Sequence, residues 1–135
     1  MDKYFPIETM PILHSDYQLT IARLFLVVRN SDKYHDYMLN LTKRNDLSMQ
    51  NQYHIAYTLL NNDASEKWGE AYVKELIASY PAPWEFREIL IVYYSQTREY
   101  DKAIEILQDW ILLDERHNQP DAYKKAENWL DILKS

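Results

Sequence analysis

From Ser15 to the C-terminus apolar residues recur every three or four positions, and no stretch alternates with period two. That periodicity restricts the chain to helices. The first is expected to open at Ser15, with Gln18 completing a capping box. Its buried face is read as Tyr17, Ile21, Leu24, Phe25 and Val28, with Ala22 and Leu26 beside it. Ser31 is placed as cap of a second helix carrying Tyr34, Tyr37, Met38 and Leu41. Ser48 begins a third, with Tyr53, Ala56, Tyr57 and Leu60 on one side, Ile55 and Leu59 on another, and a break at Asn61-Asn62-Asp63. Ser65 caps a fourth, whose stripe is Trp68, Tyr72, Val73, Leu76, Ile77 and Tyr80. Pro81 ends it, and Pro83 takes the first position of a fifth helix reaching Gln96. Ile89 to Tyr94 is apolar nearly all round, as in a helix covered on two sides. The sixth carries Tyr100, Ala103, Ile104, Leu107, Trp110 and Ile111. Pro120 starts a seventh, apolar at Tyr123, Ala126, Trp129, Leu130 and Leu133 and polar behind. The expected fold is therefore all-α.

Residues 1–14 cannot form a regular helix, because Pro6 and Pro11 interrupt them. Tyr4, Phe5, Ile7, Met10, Ile12 and Leu13 make them an extended arm expected to pack on a single domain of residues 15–135. One glycine in 135 residues leaves no room for a phosphate loop, a dinucleotide fingerprint or a nucleophile elbow. No cysteine means no disulfide, thiolate metal site or thiol nucleophile, and is equally at home in cytosol or periplasm. With 15 basic and 21 acidic residues, a net charge of -6 argues against nucleic acid as a partner. The longest apolar runs, Leu24–Val28 and Ile89–Tyr94, fall far short of the ~20 residues that span a bilayer, so no membrane insertion is expected from this segment. A soluble, cytoplasmic chain is the expectation, or an extracytoplasmic one if it belongs to a longer protein.

Two helix pairs share a pattern. In Leu90-Ile91-Val92-Tyr93-Tyr94 … Tyr100-Asp101-Lys102-Ala103 … Leu107, an apolar and an aromatic residue on one helix meet an aromatic-x-x-Ala start on the next. The stretch resembles a tetratricopeptide repeat. Upstream, Ile55, Ala56 and Leu59, then Glu70-Ala71, Ala78 and Pro83, are similar, and Ala71 to Ala103 spans 32 residues. The stretch near 84–117 matches best, 50–83 less well, and 15–45 only in helix lengths, its stripe and Ala22. Trp110 stands where the family has a small residue. The resemblance implies a right-handed helical-repeat array of about seven helices, closed by a C-terminal capping helix. It also implies a protein or peptide partner held in a concave groove lined by the first helix of each pair. Here those positions are Arg23, Leu26, Tyr53, Tyr57, Asn61, Glu88, Val92 and Gln96.

The residues that could carry chemistry give no constellation. Asp32, His35 and Asp36 share a helix face at metal-ligand spacing, but three polar residues opposite Tyr34, Tyr37 and Met38 read as a solvated face. His14, His54 and His117 are isolated, and Glu66/Glu70 and Asp114/Glu115 read as solvated helix faces. No catalytic, metal or cofactor site is assigned. Most of the twelve tyrosines fall on core stripes, while Tyr53, Tyr57 and Tyr93 are the ones read toward the groove. Gly69, inside a helix beside Trp68, marks close approach by a neighbouring helix. The expected function is a non-enzymatic adaptor. The alternatives are a soluble domain of a larger protein, a small secretion-chaperone-like protein, a homo-oligomer joined through the exposed flank of the first helix, and an enzyme built on His54 and a carboxylate.

Overall fold

The computed structural model describes residues 15–113 and 119–135. The expected packing of the arm 1–14, and the readings of His14, His117, Asp114 and Glu115, lie outside them. Among the described residues the chain forms seven α-helices and no strand: α1 (Ser15–Val27), α2 (Ser31–Thr42), α3 (Met49–Leu60), α4 (Glu66–Ser79), α5 (Trp84–Gln96), α6 (Tyr100–Ile111) and α7 (Pro120–Lys134). They gather into two compact units that meet within α4, the first ending at Gly69 and the second beginning at Glu70.

In the first unit α1 and α2 form a tight hairpin on which α3 packs. Ala22, Phe25, Tyr34, Tyr37, Met38, Leu41, Ile55, Ala56 and Leu59 make its core. The turn after α1 is a Schellman motif: Arg29 takes a left-handed φ of 59°, its N–H donates to the Leu26 carbonyl, and the Asn30 N–H donates to the Phe25 carbonyl. The Asn30 carboxamide then caps α2 by accepting from the Lys33 N–H, so the cap is one residue earlier than the expected Ser31. An amide oxygen at the residue already turned out of helical geometry reaches that N–H, and Ser31 is free to enter the helix. Ser48 caps α3 as expected, accepting from the Asn51 N–H. After α3 the Asn61 and Asn62 side chains donate back to the Tyr57 and Thr58 carbonyls and stop the helix. Ser65, just before α4, is buried and donates to the Leu59 carbonyl at 2.9 Å while pairing with the Tyr34 hydroxyl at 2.8 Å. A Cβ on Gly69 would stand 2.8 Å from the Leu60 backbone nitrogen and 2.9 Å from Leu59 Cβ, the close helix approach the glycine signalled.

The face buried by α1 differs from the expected one. Leu19, Ala22 and Phe25 enter the core, together with Gln18, whose Oε1 accepts from Arg44 Nη1 at 2.6 Å. Tyr17, Leu24 and Val28 are 51%, 58% and 66% exposed, and Val27 is 77% exposed. The helix has apolar residues on two sides, and small Ala22 lets α2 come close on one of them. Phe25 then packs tilted against Tyr37, ring centroids 5.3 Å apart, which turns the Tyr17–Leu24 side outward.

In the second unit α5 and α6 form the corresponding hairpin, and α7 packs on α6. Arg98, with φ of 63°, repeats the turn bond for bond: its N–H donates to the Ser95 carbonyl and the Glu99 N–H to the Tyr94 carbonyl. Residues 70–79 of α4 lie along α5, tied at one end by the Tyr94 hydroxyl on Glu70 at 2.7 Å. At the other end the Tyr80 and Phe86 rings are 6.0 Å apart. Covered by α4 on one side and α6 on another, α5 buries Phe86, Ile89, Leu90, Ile91, Tyr93 and Tyr94. Pro83 is the N-cap of α5 rather than its first residue, because its ψ of 124° keeps it extended. Trp110 packs against Trp84, the rings tilted at 55° with centroids 5.0 Å apart, and donates to the Ala82 carbonyl at 2.9 Å. In α7 Ala126 is buried, while Asp121, Lys124, Lys125, Glu127, Asn128 and Asp131 face solvent.

Candidate functional site

The expected groove positions divide between the units. In the first, Arg23 extends from α1 to α3, its Nη2 and Nε donating to Thr58 Oγ1 at 2.9 and 3.2 Å. That fixes α1 and α3 side by side and leaves the Arg23 stem against solvent. On the outer side of α3, Tyr53 and Tyr57 stack with ring centroids 6.5 Å apart, and His54 stands edge-on to Tyr53 at 5.9 Å. Tyr57 is half exposed and Tyr53 half-buried. Asn61 continues the row, exposed but with its amide donating to the Tyr57 carbonyl. Leu26 is half-buried. Arg23 is thus tied to Thr58 of α3, while Tyr53, Tyr57 and Asn61 follow one another along that helix.

In the second unit Glu88, Val92 and Gln96 fall four residues apart on α5 and therefore share one of its faces. Glu88 and Val92 are half-buried and Gln96 is exposed. Tyr93, read toward a groove from sequence, is buried, its ring 5.7 Å from that of Tyr94.

Charge is distributed unevenly. From Met49 to Leu60, α3 contains no Asp, Glu, Lys or Arg, and α1 contains only Asp16 and Arg23. Every other helix carries at least three charged residues. The uncharged α3 packs on α1, the helix that carries the exposed Tyr17, Leu24 and Val27. Sequence reasoning assigned Tyr17, Leu24 and Val28 to the core; the signal that separates them is the small Ala22 on the opposite side.

Two buried polar groups depart from the sequence reading: Glu70, expected with Glu66 on a solvated helix face, is buried, and Arg87 was not singled out. Glu70 accepts from Tyr94 and sits 3.3 Å from Lys74 Nζ. Burial, reinforced by that carboxylate, holds the Tyr94 hydroxyl well above the usual phenol range. Arg87, 6% exposed, donates from Nη1 to the Ile106 carbonyl while its Nε has no acceptor. Burial lowers its affinity for the proton, and the nearby Asp109 charge works the other way. Arg87 follows the periodic stripe of α5 only by position, so nothing in its residue type announced its burial.

His35, with Asp32 and Asp36, lies on the exposed side of α2, its ring 5.0 Å from that of Trp68. Among the described residues no three His, Asp or Glu side chains are gathered as metal ligands. Nor, among them, is any helix long and apolar enough to cross a membrane. Comparison of the chain with protein-family models, with curated proteins and with solved structures finds no match.

Proposed function

We propose that the chain is a non-enzymatic interaction module of tetratricopeptide-like build, which holds a peptide or protein partner on the outer faces of the first helices of its pairs. The observation that carries the reading is the repeated hairpin. From Arg29 to Arg98 is 69 residues, close to two periods of ~34, and the same two turn hydrogen bonds recur at that offset. Helix pairs set at such a period stack on their neighbours and leave one face of each first helix to solvent. On α3 that face is tyrosine-rich and uncharged. Tyrosine offers a large contact area and a hydroxyl for little entropy loss, which suits it to protein contacts.

The test is capture of a partner from the native lysate by the wild type and by a Tyr57→Ala/Glu88→Lys double variant. A protein retained by the first and lost by the second supports the reading. A protein held equally by both removes these helices from the contact.

A further inference from the structure

The bare face of α1 is the face that α5 has covered. At the 69-residue offset Tyr17, Ile21 and Leu24 correspond to Phe86, Leu90 and Tyr93, which are 2%, 0% and 3% exposed. No described helix lies on the α1 counterpart, and Tyr17 and Leu24 remain more than half exposed there.

The spacing Tyr17, Thr20/Ile21, Leu24, Val27/Val28 is a seam of alternating three- and four-residue steps, the pattern with which one helix packs along another. We infer that this seam is a self-association surface: α1 pairs with α1 of a second copy about a two-fold axis, antiparallel, with Leu24 of each copy against Ile21 of the other. This names the partner within the interaction-module reading and rests on it.

Charge selects the second copy as occupant. Two chains of net charge -6 repel wherever their charged helices meet. The seam itself carries no charged residue, and its neighbour α3 carries none, so this surface lets two copies meet without opposing like charges. Size agrees. Tyr17, Thr20, Ile21, Leu24, Val27 and Val28 expose on the order of 500 Å² per copy, and roughly 1,000 Å² in the pair is the size of a weak specific interface. A two-fold contact also closes, so the product is a dimer rather than a fibre.

The experiment is analytical ultracentrifugation of the purified full chain from about 1 to about 500 µM, the range over which so small an interface dissociates. It is run for the wild type and for Leu24→Lys and Val27→Lys, with melting temperature and circular dichroism as folding controls. The proposal expects a wild-type monomer–dimer equilibrium that tightens modestly as salt screens the -6 charges, and variants that stay monomeric with unchanged spectra. A wild type monomeric throughout overturns it. In that case a lower melting temperature in Leu24→Lys assigns the seam to another segment of the same chain, and an unchanged one assigns it to a foreign protein. A dimer that persists in both variants, or that falls apart steeply with salt, also overturns it. None of these results bears on partner capture by Tyr57 and Glu88, so the two readings fail separately.

Discussion

The hairpins α1–α2 and α5–α6 share a turn but not an environment. Both close through an arginine in the left-handed region and the same two backbone hydrogen bonds. At the cap that follows, Asn30 accepts from the Lys33 backbone in the first, whereas Glu99 makes no capping bond and instead holds Lys102 Nζ at 2.8 Å. Within the cores, buried Gln18 corresponds to buried Arg87, Ala22 to Ile91, and Leu41 to Trp110. The backbone geometry is preserved while side-chain volume and charge change freely. What separates the two is cover: α5 has a helix on either side, and α1 has its outer seam in solvent.

The sharpest way to break the comparison is to truncate corresponding positions. Phe86→Ala should cost about 3–5 kcal/mol in urea unfolding, the loss typical of a buried aromatic. Tyr17→Ala at its counterpart should stay within about 0.5 kcal/mol at concentrations where the chain is monomeric. Equal losses would mean that the α1 seam is covered after all. Next in size is Gly69→Ala. The substitution gains up to about 1 kcal/mol of helix propensity, but its Cβ meets the Leu59 and Leu60 backbone at 3.0 Å or less. A net loss of roughly 1–3 kcal/mol is expected from the overpacking, and a rise in stability would refute the close-approach reading.

High pH should separate the units. Burial pushes the Tyr72 hydroxyl up to about 12, and the Tyr34 and Tyr94 hydroxyls shift in the same direction. An unfolded tyrosine releases its proton near 10, so above that pH the unfolded chain holds fewer protons than the folded one and stability falls. The loss should begin near pH 10 and continue toward about 12, with Tyr72 and Tyr94 making it larger in the second unit. Urea titrations across that window with Tyr72→Phe should show a shallower decline. At neutral pH the same variant should be neutral to about 1 kcal/mol more stable, since the Tyr72 hydroxyl is buried without a hydrogen-bond partner. The smallest effect concerns the turns. Arg29→Gly and Arg98→Gly should each stabilise by about 0.5 kcal/mol, because glycine adopts a left-handed φ without strain. Similar values at both would sharpen the correspondence, and opposite signs would undo it.

Helix number, order and most boundaries were legible in the sequence, because the 3.6-residue period is strong and the breaks at Asn61–Asp63, Pro81 and Pro120 are chemically unambiguous. The C-terminal end of α5, at Gln96, falls where the pattern placed it. The face of α1 was not legible, since a helix apolar on two sides carries two valid stripes and only its neighbour decides between them. Caps slipped by one residue at Ser31 and Pro83, where an adjacent residue met the geometry better. Of the residues read toward a groove, Arg23 reaches Thr58, a threonine whose role depends on a contact 35 residues away, while Tyr53, Tyr57 and Asn61 follow one another along α3. Periodicity carries no information about such distant pairs.

The repeated three-residue turns bear on how the chain reaches its fold. Each joins helices that are immediate neighbours in sequence, so a hairpin closes through short loops at little entropic cost. Chains dominated by such local contacts fold in microseconds to milliseconds. With one hairpin in each unit, folding has two independent starting points. Mutations in α1–α2 should then slow one route while leaving the other open, and the refolding rate should respond less than the stability does.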